Sequence, residues 1–233
     1  MTFDLAHIWA SMGFFGKLIA FALILMAVAC IGVVVERMLS LRRNARDSRL
    51  FARQASPTLD AWEIEQVIEI ADRYKHSMLA RMLGAMFKRY LRGYDDPDGG
   101  LTPSALARGE SERQKEVIAT DLRRGMNVLA SVGSVAPFIG LLGTVVGIIG
   151  AFQGIATTGS GGIAAVSAGI AESLVETALG LTVAIPAVLL FNYLSVRVAN
   201  VELALARSAS ELLDEMETRE GQRSERSSAR RAA

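Results

Sequence analysis

Between Arg124 and Arg197 the chain carries only two formal charges, Glu172 and Glu176. Two apolar runs lie in that interval, Asn127–Phe152 and Ile170–Val196, each longer than the ~20 residues a helix needs to cross the hydrocarbon of a bilayer. Lipid offers no partner to an unpaired backbone N–H or C=O, so such runs are confined to helices that satisfy their own hydrogen bonds. The interval reads as a membrane hairpin with two acids in its returning arm.

A third apolar run, Leu18–Val35, has no charge in eighteen residues. It lacks the basic start, the short ~7–15-residue core and the small-residue cleavage site of a signal peptide, and is expected to be a retained span. Trp9, Phe14 and Phe15 precede it as an aromatic belt would. Arg37, Arg42, Arg43, Arg46, Arg49 and Arg53 follow it, against Lys17 alone before it. By the positive-inside rule the N-terminus is then outside and the arginine side cytoplasmic. Three spans return the C-terminus to the cytoplasm. The charge-free connection Gly154–Gly169 and the seven arginines after Val196 agree with that orientation.

The expected layout is all-α. Residues 1–16 form a short outer N-terminus, 17–40 the first span, 41–124 a cytoplasmic helical domain, 125–153 the second span, 154–169 an outer connection, 170–196 the third span, 197–220 a cytoplasmic helix and 221–233 a disordered basic tail. In the loop domain, Ser56–Asp60 reads as a turn before a helix, with Trp62, Val67, Ile68 and Ala71 at helical spacing and a further helix over Met78–Tyr90. Asp95–Gly100 is the clearest loop. Thr102 as N-cap and Pro103 at the first position start a helix expected to run through Arg124 directly into the second span.

A formal charge of +1 in 233 residues argues against a nucleic-acid binder. Cys30 is the only cysteine, and His7 and His76 the only histidines, so no metal or disulfide framework is available. No cofactor is implied. No nucleophile, metal or phosphate-loop constellation indicates an enzyme, and Gly159–Gly162 lacks the lysine a phosphate loop needs.

Within the second span Gly133, Gly140, Gly147 and Gly154 recur every seven residues, with Ala136, Gly143 and Gly150 at the alternate seam positions. Small residues let helix backbones approach closely in lipid. The stripe serves either packing against the third span or self-assembly, and its length favours a multi-helix wall. Pro137 and Pro186 each remove a backbone hydrogen bond, and Ser131, Ser134, Thr177 and Thr182 are placed to repair the damage.

Glu172 and Glu176, four apart, share a helical face that Gly180 and Ala184 extend. Acids in a span usually face a bundle interior or a wet cavity and mark an ion or proton path. The alternative is that both are solvated at the outer mouth.

The segment Ala136-Pro-Phe-Ile-Gly-Leu-Leu-Gly-Thr-Val-Val-Gly-Ile148, with Gly169-Ile-Ala-Glu-Ser-Leu-Val-Glu-Thr-Ala-Leu-Gly-Leu-Thr-Val-Ala-Ile-Pro186 and then Asn192, closely resembles the ExbB/TolQ proton-channel family, distantly related to the flagellar stator protein MotA. The resemblance implies a bacterial inner-membrane homo-oligomer, a pentamer, around a dimer of a single-span ExbD/TolR-type partner with a transmembrane aspartate. Protons would be the transported ion. Flux would drive rotation passed to a TonB- or TolA-like transducer or to motility machinery. Position by position, Thr144 and Thr177 match the pore threonines and Glu172 the family glutamate. Glu176 departs from the pattern and is expected to add a second acid to the entry relay. No aspartate occurs in the three runs, so an aspartate-type protonation site must come from another chain. The competing reading is a non-conducting scaffold recruiting cytosolic proteins, which needs neither the acids nor the threonine pair. The basic stretch Arg223–Arg231 either touches anionic membrane lipids or, as favoured here, serves as a topology signal.

Overall fold

The computed structural model describes residues 12–95, 100–158 and 162–232, and every regular element among them is helical. In chain order these are α1 (Phe14–Asp60), α2 (Ile64–Arg73), α3 (Met78–Asp95), α4 (Pro103–Arg123), α5 (Met126–Thr158) and α6 (Gly162–Ala232). Three of them, α1, α5 and α6, contain stretches long and apolar enough to cross a membrane. The chain divides into two compact units, one from Met1–Glu36 with Gly125–Leu194, the other from Arg37–Arg124 with Ser195–Ala233.

In the first unit, small and branched residues are buried while large apolar ones point outward. Ala20, Leu23, Leu129, Ala136, Ala184 and Ala187 are buried, whereas Phe21, Leu25, Phe138, Leu141, Ile185 and Leu189 are exposed. That inversion of the soluble pattern fits helices whose mutual contact depends on close packing and whose surroundings are hydrocarbon.

The second unit has an ordinary apolar core. Val67 and Ala71 on α2, Met82, Met86 and Phe87 on α3, and Leu212, Leu213 and Met216 on α6 are buried. Trp62, Phe87, Tyr90 and Tyr94 form a chain of edge-on ring contacts at centroid distances of 5.2–6.3 Å. Thr102 caps α4 as expected, its side chain accepting the Ala105 N–H at 3.2 Å with Pro103 at the first position. A second cap comes from far along the chain. Glu220 accepts the Ser104 N–H and the Ser104 hydroxyl, both at 2.7 Å, placing a carboxylate at the positive end of α4.

Three local expectations are corrected. Ser56–Asp60 is no turn, because α1 continues through Pro57 to Asp60. Pro57 forfeits only a bond to the Arg53 carbonyl, and both residues are exposed to solvent. The helix stops at Trp62, whose φ of 56° and bonds Trp62 N–H to Leu59 O and Glu63 N–H to Thr58 O form a Schellman cap with tryptophan in the usual glycine position. Second, α4 does not run into α5. Arg124 leaves helical geometry and Gly125 takes φ 76°, so the second span starts as a separate helix. Third, the tail expected to be disordered is helical through Ala232; residues 154–158 and 162–169 of the connection are helical too. The start of the tail and the turn before it are held: Arg223 lies over Tyr94 at 4.7 Å and Arg219 over the Trp62 ring at 4.2 Å, a favourable use of guanidinium on an aromatic face. His7, Trp9, most of the Asp95–Gly100 loop and Gly159–Gly161 lie outside the described residues.

Candidate functional site

Four glycines of the α5 stripe pack within the chain. A Cβ on Gly133 would lie 2.5 Å from the Val188 side chain, and one on Gly140 would lie 2.8 Å from the Glu176 carbonyl oxygen. Gly143 meets the Glu176 carboxylate and Gly147 the Ser173 hydroxyl. On α6, a Cβ on Gly180 would lie 2.7 Å from the Ala136 carbonyl oxygen. So Gly133, Gly140, Gly143 and Gly147 pack α5 on α6, which is the first of the two uses expected of the stripe. The reason is geometric: two backbones this close leave no space for any side chain between them. Gly150 and Gly154 alone in the stripe have open space around them.

That approach brings the two predicted threonines together. The Thr177 hydroxyl donates across the seam to the Gly140 carbonyl at 3.1 Å and stands 3.5 Å from the Thr144 hydroxyl, which donates to Leu141 O at 2.6 Å. Both hydroxyl protons are thus engaged, leaving lone pairs as their free capacity. Thr144 is buried.

The proline repairs take another form. Ser134 donates to Ser131 O at 3.0 Å and Thr182 to Ala178 O at 2.8 Å. Each back-bonds within its own helix, as helical Ser and Thr do. Neither reaches Gly133 O or Thr182 O, the carbonyls that Pro137 and Pro186 deprive of a donor.

The two acids have different surroundings. Glu172 is half-buried and accepts the Gly13 N–H at 3.1 Å. Glu176 is only 3 % exposed, and its Oε2 has no hydrogen-bond partner. Its carboxylate lies between Gly143 of α5 and Gly16 of α1, where a Cβ on either glycine would meet a carboxylate oxygen. Both acids line a cavity of about 360 Å³ walled by Gly13–Gly16, by the Gly143–Gly150 stretch of α5 and by Ser173. Its volume is that of roughly a dozen waters. The alternative of two acids solvated at a mouth is corrected for Glu176.

Gly13, Gly16 and Ser173 were missed by sequence reasoning. Ser173, 1 % exposed, donates to Gly169 O at 2.7 Å. The available signal was a pair of glycines one turn apart just before the first span.

Residues 76–207 match the model of the MotA/TolQ/ExbB proton channel family. The chain belongs to that family. The match takes in Thr144, Glu172, Glu176 and Thr177 and leaves out Gly13 and Gly16. Among curated relatives, the biopolymer transport protein ExbB of Neisseria meningitidis is 35 % identical over 178 residues, 74 % of this chain and 79 % of the relative. ExbB of Salmonella typhimurium is 30 % identical over 168 residues, covering 71 % and 68 %. The Tol-Pal system protein TolQ of Pseudomonas aeruginosa is 33 % identical over 158 residues, covering 62 % and 68 %. Membership places the chain among multi-pass inner-membrane transport proteins and not among enzymes.

Proposed function

We propose that the chain is a proton-channel subunit of the stator type, coupling the inner-membrane proton-motive force to mechanical work in the envelope. A homo-oligomer, pentameric by family resemblance, surrounds a dimer of a single-span ExbD/TolR-type partner whose transmembrane aspartate carries the proton. The observation that carries this reading is the Thr144–Thr177 hydroxyl pair across the α5–α6 seam, with Thr177 next in sequence to the buried Glu176. A hydroxyl whose proton is given to a backbone carbonyl still accepts, so the pair can accept a hydrogen bond from the O–H of a partner's carboxylic acid. A small rotation reverses the role and solvates the carboxylate. Glu172, the more accessible acid, takes the proton at the outer entrance, and Glu176 forms the buried second member of the relay. The N-terminus and the α5–α6 connection face the periplasm and the C-terminus the cytoplasm, as the arginine distribution requires.

The test is affinity purification of the tagged chain from its own membranes in mild detergent, with intact-mass analysis of co-purifying proteins. A small single-span protein with a membrane aspartate at a fixed substoichiometric ratio is the expected result. Recovery of cytosolic proteins alone would sink the assignment and leave a scaffold. The identity of that partner also decides between TonB-type uptake, Tol-type envelope maintenance and motility.

A further inference from the structure

A polar cavity of about 230 Å³ lies in the unit built from Arg37–Arg124 and Ser195–Ala233. Arg37, Lys75, Arg81 and Arg124 line it with His76, and Asp121 is its single carboxylate. That carboxylate is already committed, accepting from Arg81 at 2.8 Å, while Arg37 donates to the Asp121 backbone carbonyl at 2.7 Å. Lys75 and Arg124 have no acidic partner among the described residues. The positive end of α3 adds to the field. Ser77, fully buried, caps that helix by accepting the Ala80 N–H at 3.0 Å, and Ser77 and Met78 form part of the cavity wall.

With Arg81 spent on Asp121, Arg37, Lys75 and Arg124 leave the cavity with an excess of positive charge, and that excess selects an anion. Guanidinium forks match the oxygens of phosphate in particular. Sequence position indicates a location at the membrane surface: Arg37 follows Glu36 directly after the charge-free run Leu18–Val35, and Arg124 stands just before the second span. A topology signal accounts for those two arginines but not for Lys75, His76 and the start of α3, which arrive from elsewhere in the chain and converge only in the folded unit. Basic pockets at such positions take lipid headgroups.

We propose that this cavity binds the phosphate of an acidic phospholipid at the leaflet bordering Arg37 and Arg124. The site is separate from the acids and threonines of the hairpin and does not depend on proton conduction. A free phosphate ion shares the recognised chemistry, so the experiment separates the two.

Native mass spectrometry of the full-length chain in detergent, titrated with dioleoylphosphatidylglycerol, with dioleoylphosphatidylcholine or with inorganic phosphate alone, tests the proposal. The expected result is retention of phosphatidylglycerol in preference to phosphatidylcholine and no saturable binding of inorganic phosphate. Lys75→Ala with Arg124→Ala weakens phosphatidylglycerol binding about thirtyfold, from two near-surface charges. Both side chains are exposed, and an unchanged thermal transition verifies the fold. Arg43→Ala with Arg46→Ala removes as much charge outside the cavity and leaves binding unchanged. Equal losses in the two double variants, unaltered binding in the first, or saturable binding of phosphate without lipid each overturns the proposal.

Discussion

Gly140 of α5 and Gly180 of α6 stand face to face: a Cβ on the first would lie 3.2 Å from the Gly180 Cα, and a Cβ on the second 3.1 Å from the Gly140 Cα. Backbone lies behind both, so no side chain can swing away to make room. Gly140→Ala therefore forces the helices apart and is expected to cost about 1–3 kcal/mol, the usual range for overpacking. Gly154→Ala, with nothing within 4 Å, leaves stability unchanged. Thermal unfolding in detergent of the two variants reads the difference, and equal behaviour would refute the seam as described.

Thr177→Val keeps the volume but removes the donor to Gly140 O. Interhelical hydrogen bonds in membranes are worth about 0.6 kcal/mol on average, so stability falls little. Proton-driven activity, which on the proposed mechanism needs the hydroxyl, is expected to fall at least tenfold. Thr177→Ser restores it. Retained activity in the valine variant would remove the hydroxyl from the proton path.

Glu176→Gln keeps the shape that Gly16 and Gly143 enclose while removing the titratable carboxyl that the proposed relay uses. The expected outcome is a folded oligomer with at least a tenfold loss of proton-driven function, measured as proton uptake in vesicles of the reconstituted complex. Glu176→Ala with function intact excludes it from the relay.

Tyr90 is 1 % exposed and shares a 2.9 Å hydrogen bond with the Tyr94 hydroxyl. Burial first, then that bond, raises its phenol well above the usual value of about 10. A raised folded value means that the contribution to stability is complete below pH about 10 and is lost as pH rises beyond it. Unfolding of the helical unit, followed by circular dichroism, should therefore become easier above that pH. Tyr90→Phe is expected to flatten the dependence, and an unchanged profile in that variant would assign it to other groups.

Glu220→Gln tests the long-range cap on α4. Replacing a carboxylate that accepts two bonds from Ser104 beside the helix's positive end is expected to cost about 1–2 kcal/mol. The readout is the thermal transition of the helical unit, and a shift no larger than that of Glu225→Gln would count against the cap.

Much of this protein was legible without coordinates because lipid imposes simple rules. Charge-free runs of sufficient length must be helices, and arginines mark one side of them. Local chemistry was equally readable at Thr102-Pro103, where cap and first turn are adjacent in sequence. The reading failed where the deciding partner was remote. Trp62 takes a glycine's place at a helix end beside Phe87, Tyr90 and Arg219, and the helix runs on into the tail past Glu220 on Ser104 and Arg223 on Tyr94. Nothing within a few residues of either announces this.

The same division holds at the site. Sequence alone determined that Thr144, Thr177, Glu172 and Glu176 belong to one hairpin and that the two acids share a helical face, since periodicity along a helix needs no neighbours. Only the tertiary structure decided that Glu176 is the enclosed acid and Glu172 the accessible one. That difference comes from Gly16 and Gly143, which approach from two other helices, and burial of a carboxylate depends on every wall around it and not on its own sequence context.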